Sequence, residues 1–355
     1  METKTLYVAG TFDDNDGKSS SIADQIFHGL DFQRVNYVNG GNYGELEQLL
    51  GTVGDYDVVF WLADVANDKP KLVKRVKAVN RECVLVSSKR NVDQKYTVRD
   101  LLYHALDVKS NVFVEFTKQG ELYAGRVMDP LANVFLDTTT NFGNVGEVLS
   151  RRVHELMGYT RVPSEKVGMQ VEVPDEREFF EQVRRYAEVF HELINPSSEA
   201  ANRFFGNASF RCERGFPSFK KEGLVFVSMR NVDKRYIGRD GFVGVKQGLP
   251  VRYFGDHKPS VDTPVQLRLY ENYPAAKYML HSHTYVSGAP FTAKVLPCGA
   301  LQEVDEITSV VPGGVNFAVN LKGHGSLAVA DNVGFFETLK YYARTFPEIN
   351  EYACN

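Results

Sequence analysis

Strands and helices alternate along residues 4–106 of this 355-residue chain. Short apolar runs typical of buried strands lie at 4–12, 34–39, 56–65 and 82–88, and helical stretches lie at 20–30, 45–50, 69–79 and 98–106. Because parallel strands need long crossover connections, this alternation predicts an open, mostly parallel sheet of Rossmann or flavodoxin-like type. Two further runs, at 111–116 and 120–128, predict an antiparallel hairpin near its edge.

Length and composition fit two domains. A chain of 355 residues is about two domains long, and 43% apolar residues suffice for two cores. Pro, Gly and charged residues mix between positions 158 and 174, where two helical stretches meet. We therefore predict a Rossmann-like α/β domain of unknown role at 1–160, a linker at 161–174 and a second domain at 175–355.

The net charge and the cysteine spacing limit which kinds of partner and which cellular compartment are expected. A net charge of −4 with mixed signs provides no basic face, so binding to nucleic acid is not expected. No apolar run reaches membrane-spanning length, and the first residues do not form a signal peptide. The four cysteines form no C-x-x-C pair, which suits a reducing compartment. The sequence thus predicts a cytoplasmic protein that does not contact a membrane.

Two histidines stand two residues apart in the run Tyr278–Val286, which is predicted to be one strand. Alternate residues of a strand share a face, so His281 and His283 are predicted to close on one ion. His324 lies between two glycines, which let the backbone approach a site closely. Three imidazoles with a carboxylate or water are typical of catalytic zinc. The alternative is an exposed pair without metal; Asp262, which a short helix can return to the histidines, favours the metal site.

Several short motifs follow one another in this half of the chain. They are Gly206-Asn207-Ala208-Ser209, FVSMRNVDK at 226–234, Gly241-Phe242-Val243-Gly244-Val245, PSVDT at 259–263, the histidine pair and Gly323-His324-Gly325. In order and spacing, the segment from Asp175 to Asp331 resembles the class II aldolases and the related ribulose-phosphate 4-epimerases. The resemblance implies an aldolase-like α/β/α domain and a divalent metal, zinc, held by His281, His283 and His324. It also implies a homo-oligomer, with a tetramer favoured.

The resemblance extends to substrate-binding positions. In the family the Gly-Asn pair contributes to a phosphate pocket, so Asn207 is expected to bind substrate. Ser228 and Ser260 are candidate donors to an anionic group, although Ser260 has the alternative of capping the helix that begins near position 263. Arg230 and Asn231 stand where the family usually has a Ser/Thr-Gly pair. The arginine fork is suited to phosphate or carboxylate, or it fills the space that a phosphate would use.

Three residues are candidates for catalysis. Asp262 matches the aspartate that the epimerases have in a PSSDT context, where aldolases usually have glutamate. Glu303 begins an acidic run that either includes an acid/base group or starts an exposed helix. Tyr352 is a candidate because the epimerases draw a catalytic tyrosine from the C-terminal segment of a neighbouring subunit. Cys298 is read as a structural thiol, because no histidine lies near it in sequence.

The function that the resemblance implies is a metal-dependent retro-aldol lyase or 4-epimerase acting on a phosphorylated or otherwise anionic keto-sugar. Both reactions pass through an enediolate that a divalent ion stabilises. One alternative is a sugar-phosphate dehydratase of the same family. Another is a non-catalytic, adducin-like binding or assembly module, which the presence of all three histidines and Asp262 disfavours.

Overall fold

The computed structural model describes residues 3–65, 72–193, 204–212 and 223–349. The chain forms two compact units, one of Met1–Gly158 with Phe346–Asn355 and one of Tyr159–Thr345. Each unit is built on one large sheet, and the predicted α/β class is confirmed. Within the described ranges, no helix combines the length and the apolar character needed to cross a bilayer.

The sheet of the first unit is parallel over most of its width. Its strands are β1 (Lys4–Asp13), β2 (Arg34–Asn42), β3 (Val58–Trp61), β4 (Asp64–Val65), β5 (Val84–Val92), β6 (Val112–Gln119), β7 (Leu122–Met128) and β8 (Asn133–Thr139). The order β6-β5-β3-β1-β2 is parallel throughout, and β4 also pairs with β1. The pair β6–β7 is the predicted antiparallel hairpin, and β8 continues it antiparallel. The predicted mostly parallel sheet is therefore confirmed.

The helices of the first unit connect these strands. They are α1 (Ser21–His28), α2 (Tyr43–Thr52), α3 (Leu72–Val79), α4 (Val98–Val108) and α5 (Phe142–Gly158). Local sequence fixes where two of them begin. The Ser20 hydroxyl accepts a hydrogen bond from Ala23 N at the start of α1, and Thr97 forms a reciprocal capping box with Asp100 at the start of α4.

The sheet of the second unit is antiparallel except at one edge. Its strands run in the order β16-β17-β14-β10-β11-β12-β13-β9, and only the pair β13–β9 is parallel. A separate pair is formed by β15 and β18. The bounds are β9 Ser164–Gly168, β10 Asn207–Arg211, β11 Leu224–Ser228, β12 Phe242–Lys246, β13 Val251–Phe254, β14 Tyr278–Ser282, β15 Tyr285–Val286, β16 Phe317–Leu321, β17 Gly325–Ala330 and β18 Tyr341–Tyr342.

Helices cover both faces of this sheet. On β11, Val225 and Val227 point into one core, while Phe226 points into the other. Two helices, α7 (Thr263–Asn272) and α8 (Glu303–Val310), contribute to the first core, and α6 (Arg177–Leu193) contributes to the second. The strands are apolar on both sides because both faces are buried. The unit is thus the α/β/α arrangement that the resemblance implies.

The structure differs from the predicted boundaries at the linker and at the tail. The expected linker 161–174 contains β9, which pairs with β13 and so belongs to the second sheet. Near the other end, strand β19 (Glu348–Ile349) pairs with β8 of the first sheet, although the prediction placed 175–355 in the second domain. Such pairings rest on backbone hydrogen bonds, for which side-chain periodicity carries no signal.

The aromatic-rich sequence from Val333 onward predicts a helix through about Thr345. Instead it forms a 3₁₀ helix at Val333–Thr338 and then β18. The helical prediction is wrong here because the aromatic residues pack individually. Phe336 is fully buried, and the ring of Tyr341 lies 4.8 Å from that of Phe190 on α6.

Candidate metal centre

Three histidine rings gather at one end of the second sheet. His281 lies on β14, His283 lies just after this strand, and His324 lies in the turn between β16 and β17. Their ring centroids are 4.7 to 5.2 Å apart. One ligand nitrogen from each ring lies within 4.8 Å of the other two, and all three residues are buried. Residues more than forty positions apart meet because β14 pairs with β17.

The sequence predicts one strand through both histidines, but in the structure the strand ends before His283. Strand β14 ends at Ser282, whose hydroxyl accepts a hydrogen bond from Thr284 N at 3.2 Å. This local bond replaces a ladder bond and turns the chain. His283 therefore reaches the cluster from a turn, and its ring stacks on Phe205 at 4.4 Å with an interplanar angle of 7°.

Glycine permits the close approach of the two strands at this point, as expected from the sequence. A Cβ on Gly325 would lie 1.9 Å from Ser282 O and 2.7 Å from the Cα of His283. On the opposite side, a Cβ on Gly206 would lie 2.6 Å from His281 O. Side chains at either glycine would push apart the backbone segments that carry the histidines.

Hydrogen bonds orient two of the rings. Nδ1 of His281 donates to Ser326 O at 2.9 Å, since a carbonyl only accepts. Its Nε2 is therefore an acceptor, and it is buried without a hydrogen-bond partner among the residues that the structure describes. Nδ1 of His324 contacts Glu303 Oε1 at 3.1 Å, which directs its Nε2 toward Cys298 Sγ, 3.2 Å away. Both rings thus present Nε2 to the cluster.

Burial and neighbouring side chains set the protonation of these rings. It lowers the pKa of His281 to about 4, assisted by the neighbouring His324. Burial likewise lowers the pKa of His283 well below its usual value, and His324 and His281 add to the effect. For His324 burial acts in the same direction, but Cys298 and Glu303 outweigh it and hold its pKa well above the usual value. His281 and His283 are therefore neutral at pH 7, the form that binds metal.

Asp262 lies beside the histidines, at the N-cap of α7. Its Oδ2 is 3.9 Å from Nε2 of His281 and accepts a hydrogen bond from Asn207 Nδ2 at 2.8 Å. Its Oδ1 is buried and has no hydrogen-bond partner within the described part of the chain. Gln266 Nε2 in turn donates to Asn207 Oδ1. Asn207, which was expected to bind substrate, thus has its amide engaged in holding Asp262.

The other predicted substrate-binding residues lie at the end of β11 and in the segments that follow β11 and β13. Ser228 is fully buried, and its hydroxyl accepts from Ala208 N at 3.1 Å. The Ser260 hydroxyl accepts from Asp262 N at 3.4 Å, and it does not cap α7. Arg230 and Asn231 are exposed, and Asn231 Oδ1 accepts from Phe204 N at 3.0 Å. Tyr352 lies outside the residues that the structure describes.

The acidic run at the start of α8 divides between surface and interior. Asp305 is exposed. Glu303 is 4% exposed and contacts His324, and burial raises its pKa. The helix expected from the sequence is present, but its first acidic residue points inward. The Glu303 carboxylate contacts Nδ1 of His324, whereas Cys298 contacts Nε2 of the same ring.

Three further residues near the cluster had no signal in the sequence. Cys298 contacts His324, which is distant in sequence. The Lys234 ammonium is buried and donates to Phe204 O at 3.2 Å and Val232 O at 3.1 Å; burial lowers its pKa to about 8. Arg344 is 3% exposed and donates to His324 O at 3.1 Å. Lysine and arginine are usually exposed, so composition gives no reason to place them here.

The donor set fits a divalent ion. Neutral imidazole nitrogens and a carboxylate are zinc ligands, and a buried polar atom without a partner is rare in folded proteins. His281 Nε2 and Asp262 Oδ1 are two such atoms in one small region. An ion held between them would satisfy both.

Comparison with known proteins gives a partial match. Residues 185–304 match the family model described as the class II aldolase and adducin N-terminal domain. No curated protein matches the sequence.

Solved structures resemble parts of the chain. An L-fuculose 1-phosphate aldolase is 16% identical, with a TM-score of 0.33, over 47% of this chain and 82% of its own. The class II aldolase domain of a Thermoplasma acidophilum protein is 13% identical, with a TM-score of 0.33, over 47% and 91%. A DNA/pantothenate metabolism flavoprotein from Streptococcus pneumoniae is 13% identical, with a TM-score of 0.34, over 43% and 99%. These values are too low to carry a functional argument.

The matched segment contains Asn207, Asp262, His281 and His283, in the order that the resemblance requires. The part of this chain that is similar to the class II aldolase and adducin family is therefore residues 185–304, within the second unit.

Proposed function

We propose that the second unit is a metal-dependent lyase or epimerase of the class II aldolase type, acting on a phosphorylated or otherwise anionic keto-sugar. The observation that carries this proposal is the cluster of three buried imidazoles beside Asp262, where Nε2 of His281 and Oδ1 of Asp262 have no hydrogen-bond partner among the described residues. A purely structural cluster would pair these atoms with each other or with the backbone.

His281, His283 and His324 would hold a divalent ion, with Asp262 as a further oxygen ligand; we propose zinc. When bound, such an ion supplies Lewis acidity toward the negative charge that develops on oxygen as a carbon–carbon bond beside a carbonyl breaks. We also propose the Asp262 carboxylate, whose Oδ2 is held by Asn207, as a group for proton transfer.

The surrounding residues position this set. Backbone Ser326 O and the Glu303 carboxylate each hold a histidine Nδ1, so that both Nε2 atoms face the cluster. Partners of this kind fix ring orientation in metal sites. For Glu303, we favour this positioning role over the acid/base role that the sequence suggested, because its carboxylate is engaged with Nδ1.

Charge around the cluster favours an anionic substrate. Lys234 and Arg344 are both buried, and both contribute positive potential at His283. A buried cation is stabilised by a nearby anion. Arg230 is exposed on the loop after β11 and offers a fork for a phosphate or carboxylate. A homo-oligomer, with Tyr352 reaching a neighbouring site, remains part of the proposal.

The proposal is tested by metal content and by reaction together. The purified full chain is analysed by mass spectrometry for bound metal and then incubated with a panel of ketose 1-phosphates and 5-phosphates. Cleavage is followed by release of the aldehyde, and epimerisation by NMR. We expect stoichiometric metal and turnover of at least one substrate.

His281→Ala should lose both metal and turnover, whereas His257→Ala, at an exposed position in the same unit, should retain both. A wild-type protein free of metal would instead support the adducin-like binding module. Undiminished turnover in His281→Ala would refute the proposed site.

A further inference from the structure

We propose that the Cys298 thiolate is a ligand of the ion that the three histidines and Asp262 hold. This inference rests on the proposed metal site and specifies its chemistry as mixed nitrogen, oxygen and sulfur. Nothing in the sequence motifs of the resembling family calls for a cysteine at this place.

The position of the sulfur fits coordination. Cys298 Sγ lies 3.2 Å from Nε2 of His324, the nitrogen that Glu303 leaves free by engaging Nδ1. Two ligands of one zinc ion, with Zn–N of about 2.0–2.1 Å and Zn–S of about 2.3 Å, lie roughly 3.1–3.8 Å apart when the angle between them is about 90–120°. The observed separation lies within this range.

The same sulfur belongs to a second group of ligand atoms. Asp262, Cys298 and His324 each offer one atom within 4.8 Å of the other two, and His324 is shared with the histidine cluster. Nε2 of His281, buried and without a partner among the described residues, faces Asp262 across 3.9 Å. The two groups therefore share His324, so an ion bound at its Nε2 would border both groups.

The backbone holds Cys298 in this position. Its turn is closed by a hydrogen bond from Ala300 N to Pro297 O at 3.1 Å. The next residue, Gly299, has φ of +77°, and a Cβ there would lie 2.7 Å from Val261 O. The turn is thus packed directly against the segment that carries Asp262.

Coordination of the ion by Cys298 requires that the thiol lose its proton. The S–H bond of Cys298 breaks, its proton leaves to solvent, and the sulfur lone pair forms the bond to the ion. A thiolate ligand makes the site softer, which favours zinc or cobalt over magnesium or manganese.

Cobalt(II) substitution tests the inference directly. The full chain is stripped of metal and loaded with Co²⁺, whose visible bands report binding and whose near-ultraviolet charge-transfer band reports a thiolate ligand. We expect both in the wild type. Cys298→Ser should lose the charge-transfer band while retaining visible bands, and Cys83→Ser and Cys212→Ser should leave the spectrum unchanged.

X-ray absorption at the zinc edge of the wild-type protein supplies a measurement that needs no variant. We expect one sulfur scatterer at about 2.3 Å among nitrogen and oxygen ligands. Visible cobalt bands without a charge-transfer band, or a zinc shell without sulfur, would overturn the role of Cys298 and leave the proposed function intact. Failure to bind either ion would overturn the metal site itself, and this inference with it.

Discussion

The buried carboxylate of Glu303 accepts a hydrogen bond from Nδ1 of His324 at 3.1 Å. This contact fixes which nitrogen of His324 faces the other two histidines, because the ring then presents Nε2 on its opposite side. Helix α8, whose acidic first turn is typical of a surface helix, thereby contributes one inward-pointing residue to the site.

Removing the charge from this contact should weaken metal binding. Glu303→Gln retains an acceptor for Nδ1 but lowers the basicity of the ring, and such changes typically cost about 10- to 100-fold in affinity. Competition with a zinc chelator measures the dissociation constant. Asp305→Asn, at an exposed position on the same helix, should leave it unchanged. Equal affinities of the wild type and Glu303→Gln would contradict the positioning role.

Asn207 should affect catalysis through its hydrogen bond to Asp262. Replacing Asn207 by Ala frees Oδ2 of Asp262 and leaves Gln266 without its acceptor. We expect kcat to fall about 10- to 100-fold with KM changed less, since the defect lies in carboxylate orientation. Steady-state kinetics on the substrate identified in the panel distinguishes this from a phosphate-binding role, which would chiefly raise KM. Circular dichroism controls for folding.

The contact between Gly325 and β14 should tolerate no side chain. Gly325→Ala places a Cβ 1.9 Å from a backbone oxygen, so the two strands must separate and the three histidines with them. We expect a loss of about 1–3 kcal/mol in the free energy of unfolding and a loss of bound metal. Gly313→Ala, where the added atom meets nothing within 4 Å, serves as the control in urea titration and metal analysis. Normal metal content in Gly325→Ala would show that the strand spacing is not critical.

Lys234 should make stability depend on pH in the alkaline range. Burial, opposed by Asp233 and Asp262, lowers its pKa from 10.5 to about 8 in the folded protein. Between these values the unfolded chain holds a proton that the folded chain has lost, so the free energy of unfolding rises with pH across this window.

The rise from Lys234 is on the order of 3 kcal/mol, and Lys234→Met should lack it. Urea titrations of both proteins between pH 7 and 10.5 measure the difference in their free energies of unfolding. Taking this difference cancels the contributions from tyrosines, which both proteins share. Lys258→Met, at an exposed position, should behave like the wild type. Parallel curves for the wild type and Lys234→Met would show that the buried ammonium is not perturbed.

Much of the fold followed from local sequence patterns. Apolar runs predicted the strands that became β1, β2, β5 and β6, and their alternation with helices predicted the parallel sheet. Apolar residues recur at helical spacing between Glu176 and Leu193, which indicates the amphipathic helix found there as α6, and this helix packs on one face of the second sheet. The break after Ser282 was missed, because a hydroxyl that turns the chain leaves no mark on the apolar pattern.

The sequence by itself determined most of the secondary elements and singled out His281, His283, His324 and Asp262, because periodicity and short motifs are local properties. Only the tertiary structure decided what surrounds them. Cys298 reaches the cluster from a tight turn, Glu303 from a helix that presents one acidic residue inward, and Lys234 from a 3₁₀ helix. Contacts of this kind depend on how distant segments are registered in three dimensions, and that information is not carried by residue spacing along the chain.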